Sequence, residues 1–119
     1  IAYLTRTLGA DLGVVISASH NPYQDNGIKF FDREGGKLSD AIEAAIEARL
    51  ESPAVTRESS QLGRAKRVDN ALQSYQSFCI STVPSELRLD GLKIVIDCSH
   101  GAAYKVAPRV LRPVGGRHR

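Results

Sequence analysis

Residues 12 to 17, LGVVIS, are a short apolar run rich in β-branched side chains, and the run does not alternate with polar residues. A strand wetted on one face alternates. A continuous run suits a strand buried on both faces, as in a parallel sheet covered by helices. A second run of the same kind, LKIVID at 92 to 97, is followed by small residues and a helical pattern from about 101 to 111. Strand, tight turn and helix in that order open an α/β unit. The expected class is therefore α/β, a mixed sheet with helices: the back part of one domain and the opening strand-helix of a second.

The segments between these runs fit that plan. AYLTRTL at 2 to 8 reads as the end of a helix that Gly9 stops. The loop 18 to 26 ends in Asn26-Gly27, a strong turn signal. IKFF at 28 to 31 reads as a strand, and DREGG at 32 to 36 as a hairpin-type turn. Ser39 is placed to cap a helix from about 40 to 51. Its apolar stripe is Ile42, Ala45, Ile46 and Leu50, and Asp40 and Glu43 lie in the first turn, where the helix dipole favours acids. Residues 52 to 67 are polar and rich in Ser and Arg, which predicts a surface excursion or a short edge strand. Asp69 opens a second helix, about 70 to 81, with Ala71, Leu72, Tyr75, Phe78 and Cys79 as its stripe. Tyr75 and Phe78 could be taken for a stacking platform; at helical spacing they read as core. Val83 to Gly91 is the best boundary in the chain. The domain reading is 1–83 as the first piece, 84–91 as linker, 92–111 as the start of the second, and 112–119 as an atypical tail.

Composition narrows the function. The chain carries 16 Lys and Arg against 13 Asp and Glu. Arg112, Arg117 and Arg119 account for the excess, so the basic character is a tail and not a patch on a folded face, which argues against a nucleic-acid partner. Cys79 and Cys98 stand alone, without a CxxC pair, which fits small core residues in a reducing compartment. No stretch is apolar enough to span a bilayer and no signal peptide is visible, so the cytoplasm is the expected location. The chain opens on Ile1 and contains no methionine, which points to a missing N-terminus. After Leu111 the sequence RPVGGRHR replaces the strand that should follow an α/β helix, which points to truncation or a change of reading frame.

The chemical content lies at Ser17-Ala-Ser-His-Asn-Pro22, just past the predicted strand end, where open α/β sheets bind ligands. Adjacent side chains on an extended chain point apart, so Ser19 and His20 do not read as a general-base pair from spacing alone. Lys29 interrupts an otherwise apolar strand. It either faces solvent or points at something anionic. Serine, histidine and lysine at a strand end suit acyl transfer or phosphoryl transfer. Acyl transfer lacks a G-x-S-x-G elbow and an acid to orient His20. No Walker or Rossmann glycine motif is present.

ISASHNPYQDNGIKFF, residues 16 to 31, closely resembles the active-site serine loop of the α-D-phosphohexomutases. The S/T-x-S-H-N-P run is matched by Ser17 to Pro22 and the N-G-x-K run by Asn26 to Lys29. KLSDAIEAAIEARL and LKIVIDCSHGAAYKVAP also resemble that family's following helix and the start of its second domain. The resemblance runs to about residue 111. Family members commonly have Asn where this chain has His100, so His100 is given no catalytic role.

The resemblance implies that Ser19 carries the phosphoryl group, that His20 and Lys29 serve proton transfer and charge stabilisation, and that Asn21 and Pro22 set the loop geometry. It implies conversion of glucosamine 6-phosphate to glucosamine 1-phosphate through a bisphosphorylated sugar, with Mg²⁺ bound through the phosphate on Ser19. A phosphoserine carries about −1.5 to −2 charge and needs cations beside it. The family's Asp-Gly-Asp-Gly-Asp metal loop, its sugar loop and its C-terminal phosphate loop do not occur in these 119 residues, so this polypeptide alone is expected to be inactive. The alternatives are a phosphomannomutase or phosphoglucomutase of the same family, or a non-catalytic sugar-phosphate-binding module. Nothing in the sequence sets the oligomeric state.

Overall fold

The first helix, α1 (Ala2–Thr7), ends where Gly9 predicts. Gly9 sits at φ 64°. Its amide donates to Arg6 O at 3.2 Å, and the next amide, of Ala10, donates to Thr5 O at 2.9 Å. These two bonds satisfy helix carbonyls in the manner of a Schellman cap, which requires a left-handed residue at this position. The computed structural model describes residues 1–99 and 101–114. His100 lies outside the described residues, as do residues 115–119 of the expected tail.

The chain forms two compact units. The first holds residues 1–16 and 28–68. In it, β1 (Leu12–Ser17) pairs with β2 (Gly27–Asp32) as a two-stranded antiparallel sheet. Helix α1 lies close to β1 at Gly13, where a Cβ would run into the Thr5 hydroxyl. Thr5 is buried, and its hydroxyl donates to Ile1 O at 3.2 Å. The predicted hairpin turn after β2 is present. The Asp32 carboxylate accepts from the amides of Glu34 at 2.9 Å and Gly36 at 2.8 Å, Gly35 adopts φ 80°, and Phe31 bridges to Lys37.

Helix α2 (Asp40–Leu50) starts as expected from Ser39, whose hydroxyl accepts from the Ile42 amide. Lys37 pairs with Glu43 at 3.1 Å and Asp40 at 3.5 Å. The hydrogen bond to Glu43 is the main cause that raises the Lys37 ammonium above its ordinary value. The segment 52–67 is exposed and contains a single 3-10 turn, Ser59–Gln61, and no strand.

The second unit holds residues 17–27 and 69 onward. Helix α3 (Ala71–Ser81) has Asn70, not Asp69, at its N-cap position. It packs against α4 (Ala107–Val114), which is preceded by a 3-10 turn at Ala102–Lys105. Gln76 is the buried polar residue of α3, and its side-chain amide donates to Lys105 O at 3.2 Å. Tyr75 and Phe78 lie with ring centroids 6.3 Å apart and belong to the packed stripe, Tyr75 at its edge. The helix continues through Pro113 to Val114, past the break the sequence predicts.

Three expectations fail for physical reasons. The run 12–17 is neither parallel nor buried on both faces. Its one ladder partner among the described residues is β2, and Ile16 is 69% exposed. The run 92–97 forms no strand, because a ladder needs a neighbour and none pairs with it among the described residues; Val95 is 88% exposed. The apolar stripe of α2 is likewise largely open, with Leu50 at 79%. Periodicity identifies faces built to be covered. In these 119 residues most are not, and Leu38 is the one buried apolar side chain among the described residues. The α/β class itself holds.

Candidate active site

The loop between β1 and β2 is built upward from one serine. The Ser17 hydroxyl accepts a hydrogen bond from the Ser19 amide at 3.0 Å. The Ala18 carbonyl accepts from the Asn21 amide at 3.0 Å. Together they close a turn that puts Ser19 at its first central position with φ 57°. A non-glycine residue in this region is uncommon, and such positions cluster at functional sites. Pro22, at φ −55°, then starts a 3-10 turn, Tyr23–Asp25, closed by the Asp25 amide donating to Pro22 O at 3.0 Å.

Asn26 leads into β2 in an extended conformation, φ −58° and ψ 134°. The Asn26-Gly27 pair is therefore not the left-handed turn that its sequence predicts. Pro22, with its preset φ, makes the reversal four residues earlier.

The turn alters the chemistry expected of Ser19 and His20. On an extended chain their side chains diverge. Here the left-handed serine swings its Oγ to 3.4 Å from His20 Nδ1. This is at the long limit of a hydrogen bond, and shortening it needs only a small side-chain motion. Both residues are exposed to solvent.

Ser17, Ser19, His20, Asn21 and Pro22 line one cavity of about 830 Å³ in the second unit. Its other wall is Cys98, Ser99, Gly101 and Ala102. The Asp97 carboxylate accepts from the Ser99 amide at 2.7 Å and so holds that wall's turn. Gln76 ties the following 3-10 turn to α3. Of the residues that the sequence singles out, Ser19, His20, Asn21 and Pro22 line this cavity; it does not single out the Ser17 bond to Ser19, nor Ser99.

Lys29 stands on β2 in the first unit. Strand alternation places it on the face opposite Ile28 and Phe30, which line a separate groove against α2, and it is exposed. Among the described residues no three His, Cys, Asp or Glu side chains gather where they could hold a metal ion. The side-chain oxygens that line the cavity belong to neutral residues, serines and asparagines among them, and Ser19 becomes a strong ligand for a hard divalent cation only when phosphorylated. The described side chains do not by themselves fit the Mg²⁺ that the resemblance implies.

Residues 1–56 match the family model for phosphoglucomutase/phosphomannomutase, alpha/beta/alpha domain I. The chain is 60% identical to a phosphoglucosamine mutase of Actinobacillus succinogenes over 115 residues, 97% of this chain and 26% of that protein. The chain belongs to the α-D-phosphohexomutase family.

Two further phosphohexomutase relatives agree. A phosphoglucosamine mutase of Chromohalobacter salexigens is 60% identical, with 97% of this chain and 25% of that protein covered. One of Cupriavidus taiwanensis is 61% identical, with 97% and 26% covered. The chain thus spans about a quarter of the length of the curated relatives it matches. The matched length reaches past Leu111 into residues 112–119, where the sequence reading expects the likeness to stop. No helix among the described residues is long and apolar enough to cross a membrane.

Proposed function

We propose that this chain supplies the phosphoserine loop of a cytoplasmic phosphoglucosamine mutase. Ser19 carries the phosphoryl group. Its Oγ donates that group to glucosamine 6-phosphate, and the bisphosphorylated sugar reorients and returns its other phosphate to Ser19. Glucosamine 1-phosphate leaves, for amino-sugar and cell-wall precursor synthesis. His20 exchanges the proton with the reacting oxygen, Lys29 supplies positive charge, and Asn21 and Pro22 hold the loop. The observation that carries the reading is the left-handed Ser19 beside His20 at the mouth of a cavity of sugar-phosphate size. Phosphoryl transfer asks the protein for positioning and charge neutralisation more than for covalent chemistry, which suits a serine presented by a hydrogen-bonded turn.

Mg²⁺ enters this reading bound through an oxygen of the phosphate on Ser19, its other ligands coming from outside these 119 residues. The domain reading stands beside it: 1–83 from the first domain, 84–91 as linker and 92–111 from the second.

A hybrid tests the proposal, with this chain in place of the matching quarter of the Actinobacillus succinogenes relative. The hybrid is expected to interconvert the two glucosamine phosphates with Mg²⁺, and the 119-residue chain alone to show no turnover. A hybrid that binds the sugar phosphate and carries no phosphate on Ser19 would favour a non-catalytic binding module instead.

A further inference from the structure

The Ser19 turn has a counterpart 80 residues along the chain. VVISASH at 14 to 20 and IVIDCSH at 94 to 100 align without a gap and share Val, Ile, Ser and His at the second, third, sixth and seventh places. The geometry repeats as well. In the first copy a side-chain oxygen at Ser17 accepts the amide two residues on, at 3.0 Å. In the second, a side-chain oxygen at Asp97 accepts the amide two residues on, at 2.7 Å. Ser19 at φ 57° and Ser99 at φ 48° are the two non-glycine residues with positive φ among the described residues. Both line the same cavity, and both belong to the same unit.

Two serines held in a sparsely populated conformation by matching bonds, on the walls of one cavity, call for a shared ligand. We propose that Ser99 is a substrate-binding residue that holds the sugar, not the phosphate, of the molecule that exchanges a phosphoryl group with Ser19. This rests on the reading of Ser19 as the phosphoryl carrier and assigns the opposite wall. The difference between the two turns sets the polarity. Ser17 is neutral and leaves room for an anion at Ser19. Asp97 puts a carboxylate two residues from Ser99, which disfavours a phosphate dianion there and favours sugar hydroxyl or amino groups. A serine hydroxyl both donates and accepts, as sugar recognition requires. His100 has no part in the proposal.

The test is calorimetric binding of glucosamine 6-phosphate, and separately of inorganic phosphate, to the hybrid and to its Ser99→Gly variant. Glycine tolerates φ 48° at least as well as serine, so this variant keeps the turn and loses the hydroxyl together with its Cβ. The expected result is about three- to tenfold weaker binding of the sugar phosphate, with inorganic phosphate unchanged. Ser99→Ala, which keeps the Cβ and loses only the hydroxyl, should show the same selective loss. Equal affinity of Ser99→Gly and parent for the sugar phosphate overturns the inference. So does an equal loss for both ligands. Binding needs no turnover, so a Ser19→Ala hybrid that still turned over would sink the phosphoserine reading without altering the Ser99 comparison. A parent hybrid that bound no sugar phosphate would overturn both.

Discussion

The Ser17 hydroxyl accepts the Ser19 amide at 3.0 Å, and this bond, with the Asn21 amide to the Ala18 carbonyl, closes the turn in which the serine is left-handed. A left-handed non-glycine residue is intrinsically costly by about 1–2 kcal/mol, so an unsupported Ser19 would spend most of its time in other basins. Ser17→Ala in the hybrid should lower kcat by about three- to tenfold, the worth of one neutral hydrogen bond of about 0.5–1.5 kcal/mol. Ser17→Thr keeps the acceptor and should retain the rate. Steady-state kinetics of the two variants check this, and equal rates for Ser17→Ala and the parent would remove Ser17 from the machinery.

His20 is expected to contribute through proton transfer. Removing a positioned general acid or base costs about 10²- to 10⁴-fold. His20→Ala should reduce kcat within that range, as steady-state kinetics of the hybrid would show. A full rate would leave the proton with water.

The hairpin turn at 32–36 rests on Gly35. Its φ is 80°, and a Cβ there would stand 2.6 Å from Ala2 O. Gly35→Ala therefore combines a left-handed penalty with a clash against backbone. It should destabilise the hybrid by about 1–3 kcal/mol. At Gly63, φ is not positive and nothing lies within 4 Å of the added carbon, so Gly63→Ala should be neutral or slightly stabilising. Denaturant midpoints of the two variants measure the contrast.

Lys37 gives a pH signature. Glu43, through a hydrogen bond and then its charge, and Asp40 after it, raise the Lys37 ammonium above its ordinary 10.5. A group raised on folding contributes stability that is fully present below the unfolded value and lost as pH rises through the folded one. The helical signal of the hybrid should therefore exceed that of Lys37→Met below about pH 10. The two should converge as the pH climbs past Lys37's raised value. The pair is exposed, so the effect should shrink in high salt. A difference that grew with pH would contradict the assignment.

Much of the local structure was legible because local chemistry decides it. Ser39, Asp40 and Glu43 mark the start of α2. Gly9 marks the end of α1, and the hairpin turn at 32–36 follows from its Asp and glycines. Burial was not legible for LGVVIS or LKIVID. Their patterns report faces built for partners, and the pattern cannot say whether those partners lie within these 119 residues.

The site divides in the same way. Ser19, His20, Asn21 and Pro22 were legible from their motif and do share one cavity. The 3.4 Å approach of Ser19 to His20 was not, because the rule that neighbours diverge assumes an extended chain and Ser19 is not extended. The Ser17 bond and the Ser99 turn became visible only with the backbone dihedrals of Ser19 and Ser99, and the one sequence signal for Ser99 was the repeat of V-I-x-x-S-H.

The most direct test of the whole account is the phosphorylation state and turnover of the hybrid with and without the hydroxyl at position 19. Intact-protein mass should reveal one phosphoryl group that peptide mapping assigns to Ser19. Ser19→Ala should lose both that group and conversion of glucosamine 6-phosphate. A Ser19→Ala hybrid that interconverts the two sugar phosphates at the parent's rate would contradict the account at its root.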